Sequence, residues 1–204
     1  MKNLAKHLMK VTSKNNTRPV LNGVEFNSST KRMNATDSHR LLSFEYDGES
    51  IRDKVINLET MEVIDSSYPD ISRIMPIDGY DFEVPFHEIT REIVSLLTKN
   101  KKHLIKMTFK EDLIQFYVKT QNERTLDVID EPIFTIEITK NDDWKKTEEI
   151  FLSAEYLRDV FSFLLDYKTE SSKTCFTLRF VGRVRPILFS SEKFEYLVTP
   201  IRTY

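Results

Sequence analysis

The chain has 204 residues, 40% of them hydrophobic and including 14 Phe and 8 Tyr, enough apolar content for one large or two small packed domains. Its 30 Lys and Arg against 32 Asp and Glu leave a formal net charge of −2. That excludes both a polycation that coats nucleic acid and an acidic mimic of it, so any affinity for DNA must come from local placement of charge.

Leu4, Leu8 and Val11 fall at helical spacing and predict a short amphipathic helix from about Asn3 to Ser13, ending before the Asn15-Asn16 pair and Pro19. Short apolar-rich runs then predict strands at Val20 to Phe26, Arg32 to Thr36, Leu41 to Tyr46 and Val55 to Val63. Pro76, Asp78 and Gly79 break the pattern and place a domain boundary there, dividing the chain into 1–78 and 79–204. Beyond it, Phe82 to Val84 reads as a strand, and Ile89, Ile93, Val94 and Leu97 predict a second helix from about Phe86 to Lys99. Strands are expected at Leu104 to Phe109, Leu113 to Val118 and Leu126 to Ile138, the last interrupted by Pro132. The order then recurs. Ile150 to Leu152 reads as a strand, Ser153 as a helix cap, and Leu157, Val160, Phe161, Leu164 and Leu165 predict a third helix to about Tyr167. Strands at Cys175 to Val181, Pro186 to Phe189 and Tyr196 to Ile201 complete the chain. The expected class is α+β, with antiparallel sheets and a strand, helix and three strands repeated over Phe82 to Lys140 and Ile150 to Ile201.

The chemistry of catalysis is not in the sequence. Asp37, Ser38 and His39 have the residue types of a hydrolytic triad, but neighbours on a strand point to opposite faces and cannot form the relay. His7, His39, His87 and His103 are scattered without metal-ligand spacing, so no metal is expected. Glycines only at 23, 48, 79 and 182 supply no phosphate loop, and no cofactor is expected. The single Cys175, in the alternating run Cys175-Phe176-Thr177-Leu178-Arg179-Phe180, reads as a buried thiol on a strand in a reducing cytoplasm. No stretch approaches the roughly 20 apolar residues of a membrane span, and Met1-Lys2-Asn3-Leu4 opens no signal peptide. The expectation is a cytoplasmic, non-enzymatic protein with no membrane partner.

Three local sequences carry a resemblance. The first is Thr17-Arg18-Pro19-Val20-Leu21-Asn22-Gly23-Val24 followed by Ala35-Thr36-Asp37-Ser38-His39-Arg40-Leu41, and the second is Tyr68-Pro69-Asp70-Ile71-Ser72-Arg73-Ile74-Met75-Pro76. The third combines Phe151-Leu152-Ser153-Ala154-Glu155-Tyr156-Leu157, Arg185-Pro186-Ile187-Leu188 and Leu197-Val198-Thr199-Pro200-Ile201-Arg202-Thr203-Tyr204. In order and spacing they resemble the middle domain, the following connector and the last domain of the bacterial DNA polymerase III beta subunit, the sliding-clamp family. The resemblance implies the DNA-clamp fold, with amphipathic helices lining one face. It also implies a departure: the family's protomer has three similar domains, whereas this chain lacks the first and retains only half a middle domain over 1–78, ahead of a complete last domain over 79–204. That shortened form suggests a phage or other mobile element as its source.

The family's helices present basic side chains to DNA. Here Lys2, Lys6, Lys10 and Lys14 recur at every fourth position, on a face distinct from Leu4, Leu8 and Val11. Such a stripe can track phosphates of duplex DNA without reading bases. An ordinary solvated face is the plainer alternative. Arg91, Lys99, Lys101 and Lys102 extend the basic set to the second helix, diluted by Glu88 and Glu92. The family also has a pocket that accepts short apolar peptides from polymerases and other replication proteins. Carried over by motif, its wall would comprise Thr36, Ser38, His39, Arg40, Leu41, Pro69, Arg73 and Ile74, with Pro186, Leu197, Thr199, Pro200, Ile201 and Arg202. Leu41, Ile74, Leu197, Pro200 and Ile201 would give an apolar floor and the arginines would fix polar groups.

Two functions stay open at this level. One is a working clamp that encircles DNA as a homo-oligomer and recruits a DNA polymerase, with a clamp loader as a further partner. The other is a clamp-derived decoy or regulator that does not encircle DNA. For the ring, two chains could share their amino-terminal halves and pair into a tetramer, or the half domain could close on itself in a trimer.

Overall fold

The computed structural model describes residues 1, 3–15, 17–47, 52–119, 131–139, 144 and 146–202. Lys2, residues 126–130 of the expected long strand, and Thr203 and Tyr204 of the third motif lie outside the described residues. The chain forms two compact units: 1–75 with 190–197, and 76–189 with 198–204. The segment 190–197 thus packs with the first unit, while the sequence reading had kept 79–204 together.

The first unit opens with helix α1 (Leu4–Val11), shorter than the predicted Asn3 to Ser13. It stops because Thr12 turns extended, at ψ 151°, while its hydroxyl donates to the Met9 carbonyl at 2.9 Å. The next predicted strand divides. Pro19, with its fixed φ, starts a 3-10 turn over Pro19–Asn22, and only then does β1 (Val24–Asn27) begin. Strands β2 (Arg32–Thr36) and β3 (Arg40–Glu45) fall, within a residue at each end, where the apolar-rich runs predict them. The expected single strand from Val55 to Val63 is two short ones, β4 (Lys54–Ile56) and β5 (Val63–Ile64). Asn57 breaks it: its side-chain oxygen accepts the Glu59 and Thr60 N–H groups, and Met61 closes the turn at φ 61°. The sheet runs β5-β4-β1-β2-β3 and continues into β13 (Phe194–Val198). Leu8 and Val11 of α1 join Leu21, Val24, Ala35, Leu41 and Leu42 in the core, each no more than 3% exposed. Burying such side chains supplies ~1.5–3 kcal/mol each.

The second unit shows the repeated order. Strand β6 (Tyr80–Pro85) leads through a 3-10 turn (Phe86–Glu88) to α2 (Arg91–Lys99), then β7 (Leu104–Phe109), β8 (Leu113–Lys119) and β9 (Phe134–Glu137). The predicted helix from Phe86 therefore begins five residues late, because the Thr90 hydroxyl caps it by accepting the Ile93 N–H at 3.4 Å. Next come β10 (Glu148–Ser153), α3 (Ala154–Lys168), β11 (Cys175–Phe180) and β12 (Ile187–Ser191), and the repeat is completed by β13, whose residues 194–197 belong to the first unit. Ser153 occupies the capping position of α3, but its side chain makes no capping hydrogen bond. Each half lends its first strand to the other: β10 pairs antiparallel with β7 in the sheet β10-β7-β8-β9, and β6 pairs antiparallel with β11 in the order β12-β11-β6. An aromatic cluster fills this core. Phe82 meets Trp144 edge-on at 5.2 Å, Phe109 packs on Phe180 at 4.7 Å, and Phe116 stacks on Phe134 at 4.2 Å.

Candidate functional site

In the first unit, the turn between β2 and β3 is tied by its own side chains. The Asp37 carboxylate accepts the His39 N–H at 2.9 Å and the Arg40 N–H at 2.8 Å. The Thr36 hydroxyl donates to the Arg40 carbonyl at 2.6 Å and accepts the Ser38 N–H at 3.1 Å. This geometry drives Ser38 to φ 76°, a left-handed conformation uncommon outside glycine, asparagine and aspartate. The Arg40 guanidinium turns inward, 8% exposed, and grips Asp37 with Nε at 3.0 Å and Nη2 at 2.9 Å from Oδ2. Nη2 also donates to the Lys10 carbonyl at 2.9 Å, near the end of α1 where helix carbonyls need partners from outside the helix.

A second anchored turn lies at Ile71–Ile74. Asp70 caps it, accepting the Ser72 N–H at 3.1 Å and the Ser72 hydroxyl at 2.6 Å on one oxygen, and Arg73 Nε at 3.1 Å on the other. These Ser72 bonds first, and the Arg73 charge after them, hold the Asp70 carboxyl below the usual carboxylate range.

Between these turns and the Pro19–Asn22 turn is a cavity of about 460 Å³, lined by Arg18, Val20, Leu21, Thr36, Ser38, Ser67, Pro69, Asp70, Ile71 and Ile74. The volume suits a few side chains of a peptide or a small organic molecule. Its wall is largely apolar, and Ile74 is 45% exposed although it is a large hydrophobe. Arg18 and Asp70 are its charged members. Asp70 is already engaged by Ser72 and Arg73, whereas Arg18 pairs with no acid among the described residues. The wall therefore carries one uncommitted positive charge beside an apolar floor.

Of the pocket residues expected from sequence, Thr36, Ser38, Pro69 and Ile74 line this cavity. Arg40 and Leu41 are buried in the unit, Leu41 fully, and His39 and Arg73 are exposed outside the lining. Leu197, 1% exposed, is a core residue of β13. In the second unit, Pro186 is half-buried ahead of β12, and Thr199 and Pro200 are half-buried. Ile201 is 38% exposed with its N–H donating to the Phe151 carbonyl at 2.8 Å along β10, and Arg202 is exposed. Arg18, Val20, Leu21, Ser67, Asp70 and Ile71 were missed. Pro19, which favours the first position of a helical turn, was the signal that could have moved Val20 and Leu21 from strand to turn.

The basic residues are distributed as follows. Lys6 is exposed and Lys10 half-buried on α1, while Lys14 is exposed beyond the helix end, so the four-residue periodicity lapses after Lys10. Arg91 and Lys99 are exposed at the two ends of α2, and Lys101 and Lys102 are exposed in the turn that follows. Among the described residues no group of three His, Cys, Asp or Glu side chains could hold a metal ion, and no helix is long and apolar enough to cross a membrane.

No protein-family model and no curated protein matches the chain. Solved structures do. The DNA polymerase sliding clamp of Bacillus subtilis superposes with a TM-score of 0.74 at 20% identity, over 100% of this chain and 62% of its own. The Helicobacter pylori beta clamp bound to a DNA ligase peptide gives 0.72 at 17%, over 98% of this chain and 63% of its own. The Caulobacter crescentus beta sliding clamp gives 0.74 at 18%, over 99% and 64%. The chain has the fold of the DNA polymerase III beta sliding clamps, over slightly less than two thirds of the length of these relatives.

Proposed function

We propose that the protein is a sliding-clamp subunit that encloses duplex DNA in a ring of several copies and tethers a DNA polymerase or other replication protein through the cavity of its first unit. It performs no chemistry of its own, and its setting is the cytoplasm. The observation that carries this reading is the cavity itself. On a clamp fold, Thr36, Ser38, Pro69 and Ile74 line one concave, largely apolar space of the size a peptide anchor fills. The Helicobacter pylori clamp, of the same fold, is bound to a DNA ligase peptide.

The first unit reads as half a clamp domain. Its β4 pairs antiparallel with β1 as β10 pairs with β7 in the second unit. After β10 the chain forms α3 and three strands, whereas after β4 it turns back at once through Asn57 into β5. Further copies would supply the missing half, by sharing halves in a tetramer or by a self-closed half in a trimer. The DNA-facing charge would come from Lys6, Lys10, Lys14, Arg91, Lys99 and Lys102, contacting phosphates without reading sequence. Because the chain covers 62–64% of the clamps it matches, a decoy that binds clamp ligands without encircling DNA is the competing reading. Retention on closed DNA separates the two: a ring stays on a circle and leaves a linear end, whereas a decoy is retained on neither.

A further inference from the structure

Residues 67–75 separate two cavities of the first unit. One is the cavity proposed to take peptides. The other, about 400 Å³, lies under the same segment against the outer side chains of β1, β2 and β3, including Glu25, Arg32, Asn34 and Ser43. Pro69, Asp70 and Ile71 line both.

The segment is held weakly. Its polar bonds are internal: Asp70 with Ser72 and Arg73, and the Met75 N–H donating to the Ser72 carbonyl. Among the described residues no backbone hydrogen bond joins 67–75 to the strands beneath. None of its residues is fully buried, and only Tyr68, Ile71 and Met75 are even half-buried. Local stability of this kind, with few buried apolar groups and no ladder bonds, sits at the low end of the range within a fold.

What lies beneath opposes closure further. The Tyr68 hydroxyl and the Asn34 side-chain oxygen are both buried without a hydrogen-bond partner, and Asn34 as a whole is 2% exposed. The Asn34 amide nitrogen is committed to Glu25 at 2.7 Å. Burial first, and the Glu25 charge after it, push the phenol's pKa upward against a smaller opposing pull from the Thr36 backbone. A buried polar atom left unpaired loses its water without compensation, so lifting the segment returns that loss.

We propose that residues 67–75 are a strap that lifts from the sheet and closes over a bound peptide, with the Tyr68 hydroxyl setting how readily it opens. The proposal rests on reading the adjoining cavity as a peptide site. Closing the strap supplies five of that cavity's wall residues, Ser67, Pro69, Asp70, Ile71 and Ile74, so an occupant of the cavity favours the closed strap.

The test is native-state cleavage by trypsin after Arg73, followed by mass spectrometry, in the wild type and Tyr68→Phe. Arg73 is 83% exposed and outside the cavity lining, yet its 3-10 turn must open to enter a protease. Removing the unpaired hydroxyl while keeping the ring should slow this cut on the order of fivefold, leaving cleavage after the exposed Lys102 unchanged. Saturating DNA ligase peptide should slow the same cut in the wild type. A cut in Tyr68→Phe as fast as or faster than wild type overturns the strap, since the hydroxyl would then be holding the segment down. Bound peptide that leaves the cut unchanged overturns its closing over the peptide. If the wild type does not bind the peptide, the peptide-site reading fails, and the Tyr68→Phe comparison still decides whether the strap lifts as described.

Discussion

Replacing Arg40 with Met tests whether this side chain holds the fold or faces a ligand. The guanidinium is 8% exposed and its partner Asp37 14%, with contacts at 2.9 and 3.0 Å and a further bond to the Lys10 carbonyl at 2.9 Å. Breaking a buried pair and leaving one charge uncompensated costs ~3–5 kcal/mol. Asp37 would keep the His39 and Arg40 N–H groups, so its charge is not stranded, and the expected loss is smaller, about 2–3 kcal/mol. Urea unfolding at constant m reads this as a lower midpoint. The double variant Asp37→Asn with Arg40→Met should recover part of the loss, because the two residues act as one unit. Affinity for the ligase peptide should change little in the folded variant. A stability loss below about 0.5 kcal/mol, the range of an uninvolved surface site, would refute the inward placement, and a selective loss of peptide affinity would restore Arg40 to the wall of the pocket.

Gly23→Ala should destabilise the first unit by about 1–3 kcal/mol, read as a lowered Tm. An added Cβ would lie 2.6 Å from Val55 Cγ1, 2.9 Å from Ile64 Cδ1 and 3.1 Å from the Ile56 carbonyl oxygen, so the packing of β1 against β4 and β5 would have to shift. An unchanged Tm would contradict that packing. The Asp70 carboxyl, held low by Ser72 and then Arg73, should titrate by NMR with a midpoint below the ~3.9 of an unperturbed Asp. A carboxyl depressed in this way contributes stability above the unfolded value and loses it as pH falls through the lowered one, so the Asp70 cap should weaken only under strongly acid conditions. A midpoint at or above the ordinary value would remove the cap.

How much was legible in the sequence depended on whether neighbours or distant residues decided the conformation. Strands β2, β3 and β7 and helix α3 lie where the apolar pattern places them, β3 as a run buried on both faces from Arg40 to Phe44. The run from Val55 to Val63 was misread because Leu58 and Met61 keep it apolar while Asn57 reverses the chain. Val20 and Leu21 look like strand residues and lie instead in a turn begun by Pro19. The cavity was legible in part. Thr36, Ser38, Pro69 and Ile74 came from motif resemblance, whereas Arg18, Val20, Leu21 and Ile71 join them only through the tertiary approach of three turns. Arg40 shows the reverse limit: its charge suggested ligand contact, and only its distances to Asp37 and Lys10 reveal that the charge is spent inside the fold.

The most direct measurement of the clamp reading is topological. Protein assembled in the presence of nicked circular duplex should remain with it through gel filtration at about 1 M salt, where phosphate contacts alone are screened. Cutting the circle once should release it, and exchanging Lys6 and Lys10 for Glu should reduce retention at low salt. Equal retention on circular and linear DNA, or none on either, would contradict a ring that encloses DNA.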